Sequence, residues 1–157
     1  MSAKYLLVYL LSFILFGCAV HGPAPTDPSY SEAVRNIVSA KDARYILSAA
    51  WYPNVMLGNI ESFHASSSQG KLFVTPERLV FAVYDDATNS FLKSFEASYS
   101  NISWFTAKEH GLSRILRLQT SNTVHSFLFS SGYMENGSPA DKDAVVQYIL
   151  EKFNRKK

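Results

Sequence analysis

One cysteine, Cys18, occurs in the 157 residues. A single thiol excludes an intrachain disulfide and any cysteine-cluster metal site. The chain has no Gly-rich phosphate loop and no Gly-x-Ser-x-Gly elbow of a hydrolytic serine. It lacks strong charge of either sign, with 15 Lys+Arg against 13 Asp+Glu. That excludes a general polyanion-binding surface, so nucleic acid is not an expected partner. It also lacks an apolar run of the about 20 residues that a membrane-spanning helix needs. What it has is a globular composition, 47% apolar, 14% aromatic and 18% charged, in a length that suits one domain.

The most apolar stretch is Tyr5–Phe16, uncharged and preceded by Lys4. A positive residue before a run of that length has the form of a signal-peptide h-region. The run ends Leu15-Phe16-Gly17-Cys18. This ending resembles the lipobox of bacterial lipoproteins, with an aliphatic residue three positions before the cysteine and a small one immediately before it. Phe16 is larger than the family's usual residue at its position. The resemblance implies cleavage after residue 17 and acylation of Cys18, which makes the lipid bilayer a partner through a permanent anchor. Ala19 stands where inner-membrane retention typically goes with Asp. The resemblance therefore implies the outer membrane, facing the periplasm, in a cell that has one, and otherwise the exterior face of the cytoplasmic membrane.

Residues 18–29 carry three prolines and a glycine. They read as an extended tether of roughly 30 Å at ~3.1 Å per residue. Residues 30–53 read as one or two helices. Val34, Ile37 and Val38 share one face at helical spacing, and Ala43, Ile46, Leu47 and Ala50 share another. Ser39-x-x-Asp42 resembles a capping box at the change of phase, and Pro53 terminates the segment.

From Gly58 the apolar period becomes two. Strands are predicted at 59–65, 71–75, 78–84, 91–97, 102–108, 113–120 and 123–130, joined mostly by short turns as an antiparallel meander. Leu79, Phe81, Val83, Leu116, Leu118, Phe127 and Phe129 face inward. A final helix is predicted with Ser138 as N-cap, Pro139 at its first position and Asp141 closing a capping box. Val145, Val146, Ile149, Leu150 and Phe153 form its apolar stripe. Lys152, Arg155, Lys156 and Lys157 suit its C-terminal dipole.

Seven strands and a plugging helix have the architecture of the pleckstrin-homology-like (PH-like) superfold. The fold class expected is α+β, mainly β: a seven-stranded antiparallel barrel with a C-terminal capping helix, over residues 58–154. Residues 70–81 (GKLFVTPERLVF) resemble the Gly-x-Leu-aromatic-x-Thr-x-x-Arg-Leu-x-Phe signature of GRAM and related PH-like domains, and Asn101-Ile102 matches the family's next landmark. Phosphoinositide-binding members carry a basic cluster at the first two strands. Residues 64–71 here hold one lysine among serines, so no phosphoinositide site is expected.

Few residues offer chemistry. His21, His64, His110 and His125 are not spaced as metal ligands, although His64, His125 and Glu61 could meet at one rim. Asp85-Asp86 lacks the alternation of a calcium loop. Ser66-Ser67-Ser68 reads as a hairpin loop. No catalytic residue, metal or cofactor is therefore expected. Phe73, Phe105 and Tyr99 fall out of phase with the core and are the candidate partner-binding surface, with an edge strand as a further docking element. The expected function is a non-catalytic binding or scaffold module in the cell envelope, its partner an envelope protein or peptide. The alternative is a carrier or sensor of a lipid-like ligand, with an envelope hydrolase third.

Overall fold

The structure is a computed structural model that describes residues 22–37, 41–57, 60–62 and 67–155. Cys18, His21 and His64 lie outside the described residues. The order of elements is α1 (Tyr30–Ala33), β1 (Tyr45–Leu57), β2 (Ile60–Ser62), β3 (Ser68–Val74), β4 (Arg78–Asp85), β5 (Ser90–Ser98), a 3₁₀ turn (Tyr99–Asn101), β6 (Ile102–His110), β7 (Ser113–Thr120), β8 (Thr123–Met134) and α2 (Lys142–Arg155).

The main correction concerns residues 30–53. Among the described residues of that segment only Tyr30–Ala33 is helical, and Tyr45–Leu57 is a strand running through the centre of the sheet. The helical spacing was an effect of burial on both faces. Leu47 and Ala49 point into the main core, while Ile46 is buried on the opposite side. A strand covered on both faces loses its alternation, so apolar residues adjacent in sequence imitate a helix. Pro53 does not end the element. Between Trp51, the last partner of β3, and Val55, the first partner of β2, β1 pairs with β8 alone. A residue without an N–H is tolerated where only one side of the strand is bonded.

The strands form one antiparallel sheet in the order β5-β4-β3-β1-β8-β7-β6, with β2 attached to β1. The fold is thus mainly β with a C-terminal helix, as expected, and one short helix earlier. The two terminal strands of the path, β5 and β6, follow one another in sequence across the 3₁₀ turn. The sheet therefore bends into two leaves, the first β5-β4-β3-β1 and the second β8-β7-β6, with a seam between β5 and β6. Helix α2 packs against β6, β8 and the 3₁₀ turn. It inserts Val145, Ile149 and Phe153 into a core with Leu79, Phe81, Leu116, Leu118, Phe127 and Phe129.

A second core lies on the outer face of the first leaf, where α1 and its flanks bury Phe73, Val80, Ala82 and Phe91 under Ala33, Ile37 and Ala43. Residues 22–29 lead into this cover, half-buried over 22–25 and exposed over 26–29. They fold through successive turns, with Asp27 N–H donating to Ala24 O at 2.9 Å and Tyr30 N–H to Asp27 O at 3.0 Å. These turns stand where an extended stretch was expected.

The start of α2 also differs. Ser138 is not its cap. Met134 N–H donates to Ser138 O and Ala140 N–H to Gly132 O, so this stretch runs back along the end of β8. Asp141 does the capping, its Oδ1 accepting from the N–H groups of Asp143 and Ala144.

Candidate functional site

The residues expected to form a partner surface are not brought together. Phe73 is 0% exposed, on the face covered by α1. Tyr99 is 1% exposed on the opposite side, where its hydroxyl donates to Thr75 O at 3.1 Å. Phe105 is half-buried against Phe153, ring centroids 5.9 Å apart. Phe73 and Tyr99 are core residues here, and Phe105 seats the helix. The covering of Phe73 follows from the apolar faces that residues 30–43 must bury.

Of the groups with possible chemistry, His125 and Asp85 are engaged by neighbours within the fold. His125 is 7% exposed, at the end of the interior, among Trp51, Phe95 and Phe127. Both its ring nitrogens are engaged, Nδ1 by the Trp51 indole and Nε2 by Thr120 Oγ1 at 2.9 Å. Asp85 closes its own turn, accepting from Ala87 N–H at 3.0 Å and Thr88 Oγ1 at 2.7 Å. Among the described residues no three of His, Cys, Asp and Glu converge as a metal site. His110 is exposed at the end of β6. Lys71 is buried on β3, where its ammonium donates to Ser48 Oγ at 2.9 Å. Burial holds its pKa below the usual lysine range, and the charge of Asp27 acts in the other direction.

Two cavities matter. One, of about 540 Å³, lies between the N-terminal cover and the β3–β4 turn, with Asp42, Thr75, Glu77, Arg78, Lys93 and Glu96 in its wall. Its cations are already held: Arg78 pairs with Glu96 at 2.8 Å and Glu77 at 3.3 Å, and Lys93 with Glu96 at 2.5 Å.

The other is a groove of about 360 Å³ on the outer face of the second leaf. Its place follows from the register. Tyr52 on β1 is opposite Ser126 on β8, Ser126 opposite Arg117 on β7, and Leu128 opposite Ile115, which in turn faces Lys108 on β6. Leu116, Phe127 and Trp51 point inward, so their alternating neighbours Ile115, Arg117, Ser126, Leu128 and Tyr52 must point outward. Asn54 completes the wall. A smaller hollow of about 180 Å³ shares Tyr52 and Leu128 and continues towards Ser48, Gln69 and Ser130. The larger groove has an apolar floor and two cations, with no acidic side chain in its wall. Its volume falls at the lower end of small-ligand sites, roughly 300–1,000 Å³. Arg117 lies over the exposed Trp104 ring, 5.8 Å from its centroid.

The alternation that placed Leu116 and Leu118 inward already placed Ile115 and Arg117 outward. Tyr52 and Asn54 had no such signal, because Tyr52 fell in the segment read as helix and Asn54 just beyond it, before the first predicted strand. No protein-family model and no curated protein matches this chain. No helix among the described residues is long and apolar enough to cross a membrane.

Proposed function

We propose that this chain is an envelope lipoprotein, anchored in a lipid bilayer through acylated Cys18, that carries a non-catalytic binding module on a PH-like framework. The anchor reading is supported by the lone cysteine at the end of the Tyr5–Phe16 apolar run. The PH-like reading is supported by the strand order. A four-strand meander joins a three-strand meander through β1 and β8, and a C-terminal helix packs at the seam. The observation that carries the binding reading is the contrast between inside and outside. Phe81, Leu116, Leu118, Phe127 and Phe129 fill the interior at 0–1% exposure, while the second leaf presents its groove outward.

A partner bound there would be an envelope protein or an extended peptide, its apolar side chains on Ile115 and Leu128 and its acidic groups towards Lys108 and Arg117. Linkage to the same membrane raises the effective concentration for such a partner. In-cell photocrosslinking from position 128 tests this. A discrete adduct that disappears with Ile115→Asp is the expected result. Purified domain that hydrolyses an ester, peptide or glycan, with one polar substitution abolishing turnover, overturns it.

One observation favours a second reading, a carrier or sensor of a lipid-like anion. An apolar floor with Lys108 and Arg117 also fits an acyl chain with a carboxylate end. Displacement of a fluorescent fatty acid, weakened by Lys108→Ala, is the outcome that reading requires.

A further inference from the structure

We propose that the β4–β5 hairpin is the membrane-proximal end of the domain and that its Asp85–Asn89 turn lies at the headgroup surface of the bilayer. This rests on the reading of Cys18 as the acylated residue. The first described residue, Gly22, is seated directly on this hairpin. A Cβ placed on Gly22 would lie 2.7 Å from both Tyr84 Cγ and Phe91 Cζ, and its φ of +68° is one that glycine adopts freely. Tyr84 and Phe91 are register partners one pair in from the turn, packed edge to face with ring centroids 5.1 Å apart.

The segment after Gly22 is fastened as well. Ala24 N–H donates to Asp27 Oδ2 at 2.5 Å, Asp27 lies near enough to bear on the charge of Lys71, and Ala33 and Ile37 are 1% and 4% exposed in the second core.

The chain therefore has only four residue steps between Cys18 and its point of attachment. At no more than about 3.6 Å each, these reach ~14 Å, about half of the 30 Å that an extended tether to residue 29 would give. An anchor that short sets an orientation as well as a height, because Gly22 sits beside the last pairs of β4 and β5 before their turn and not at the middle of those two strands. The register runs from Trp51 opposite Ser68 and Lys71 opposite Ala82 out to the β4–β5 turn. The β6–β7 turn at Gly111-Leu112 lies beyond Arg114, which is opposite Phe129 and so level with Ala49, at the other end. The turn is suited to a wet surface and not to insertion. It exposes Asp86, Ala87, Thr88 and Asn89, and Asp85 binds its own backbone. With two aspartates it has no attraction of its own for anionic headgroups, so the contact is imposed by covalent reach.

The experiment uses the full acylated protein, extracted from membranes and reconstituted in phosphatidylcholine vesicles with a fraction of brominated lipid. Acylation occupies Cys18, so Ala87→Cys and Leu112→Cys each supply the sole free thiol for a fluorophore. Quenching at position 87 is expected to exceed that at position 112 by at least twofold. Inserting about ten Gly/Ser residues between His21 and Gly22 is expected to abolish the difference. Equal quenching in acylated protein overturns the inference alone. Membrane-extracted protein whose intact mass carries no acyl chains overturns the lipoprotein reading, and this inference with it. A difference that survives the insertion assigns the contact to the surface of the domain and overturns the role of the short reach.

Discussion

Trp51 donates its indole N–H to Nδ1 of His125 at 3.3 Å, and the two rings lie nearly parallel with centroids 5.9 Å apart. This pair fixes the tautomer. Nδ1 must be the acceptor, so the proton sits on Nε2 and is donated to Thr120 Oγ1. Protonating Nδ1 would set two donors against each other in a buried aromatic nest.

Stability should accordingly fall in mild acid. Burial lowers the His125 pKa from an ordinary 6.5 to about 4. The unfolded chain therefore binds this proton first as pH falls. The stabilisation is complete above about pH 6.5 and is lost progressively down to about pH 4, by up to roughly 3 kcal/mol. Urea melts between pH 7.5 and 4 check this. His125→Gln, which cannot titrate, should lose less stability than wild type across that window. Parallel curves would remove His125 as the cause.

The C-terminal helix should be required for the fold. Ile149 is 0% and Phe153 6% exposed, both in the main core at the open seam. Phe153→Ala should cost roughly 3–5 kcal/mol and Ile149→Ala roughly 2–5. Thermal unfolding measures both, and a wild-type melting temperature for either variant would mean the helix is not docked as described.

Asp141 and Asp143, two residues apart, should differ in weight. Asp141 caps two helix N–H groups, so Asp141→Ala should cost on the order of 1 kcal/mol. Asp143 forms a two-pronged pair with Arg114, at 2.8 and 3.1 Å, but its carboxylate is mostly exposed. Asp143→Asn should therefore cost less than Asp141→Ala, and raised salt should reduce that cost further. Chemical denaturation of the two variants side by side decides the order.

Thr75 should be intolerant of a shape-conserving change. Its buried hydroxyl donates to Arg78 O at 2.9 Å and accepts from the N–H groups of Glu77 and Arg78, holding the β3–β4 turn. Thr75→Val keeps the volume and leaves the N–H groups of Glu77 and Arg78 without that acceptor. A loss of roughly 1–3 kcal/mol is expected, read as a shift in the denaturation midpoint with the slope unchanged.

The sequence by itself determined everything that repeats at short range. The alternation in 78–84, 113–120 and 123–130 placed Leu79, Phe81, Leu116, Leu118, Phe127 and Phe129 on the inner face, and the stripe of Val145, Ile149 and Phe153 placed the last helix. Each of those elements has one face in the core and one towards solvent, so its period appears in the residues themselves. Tertiary structure decided the rest. β1 is buried on both faces and its period disappeared. Phe73, out of phase with the main core, became core because α1 and its flanks cover it. Ser138 had the form of a cap, but the chain folds back there and pairs its backbone with the end of β8, which leaves the role to Asp141. The groove is likewise a product of the fold. Tyr52, Ile115, Ser126 and Leu128 lie on three strands, and only the β1–β8–β7 register sets them side by side. Pairing between distant strands is fixed by what each face can bury, and that depends on every other element in the sheet.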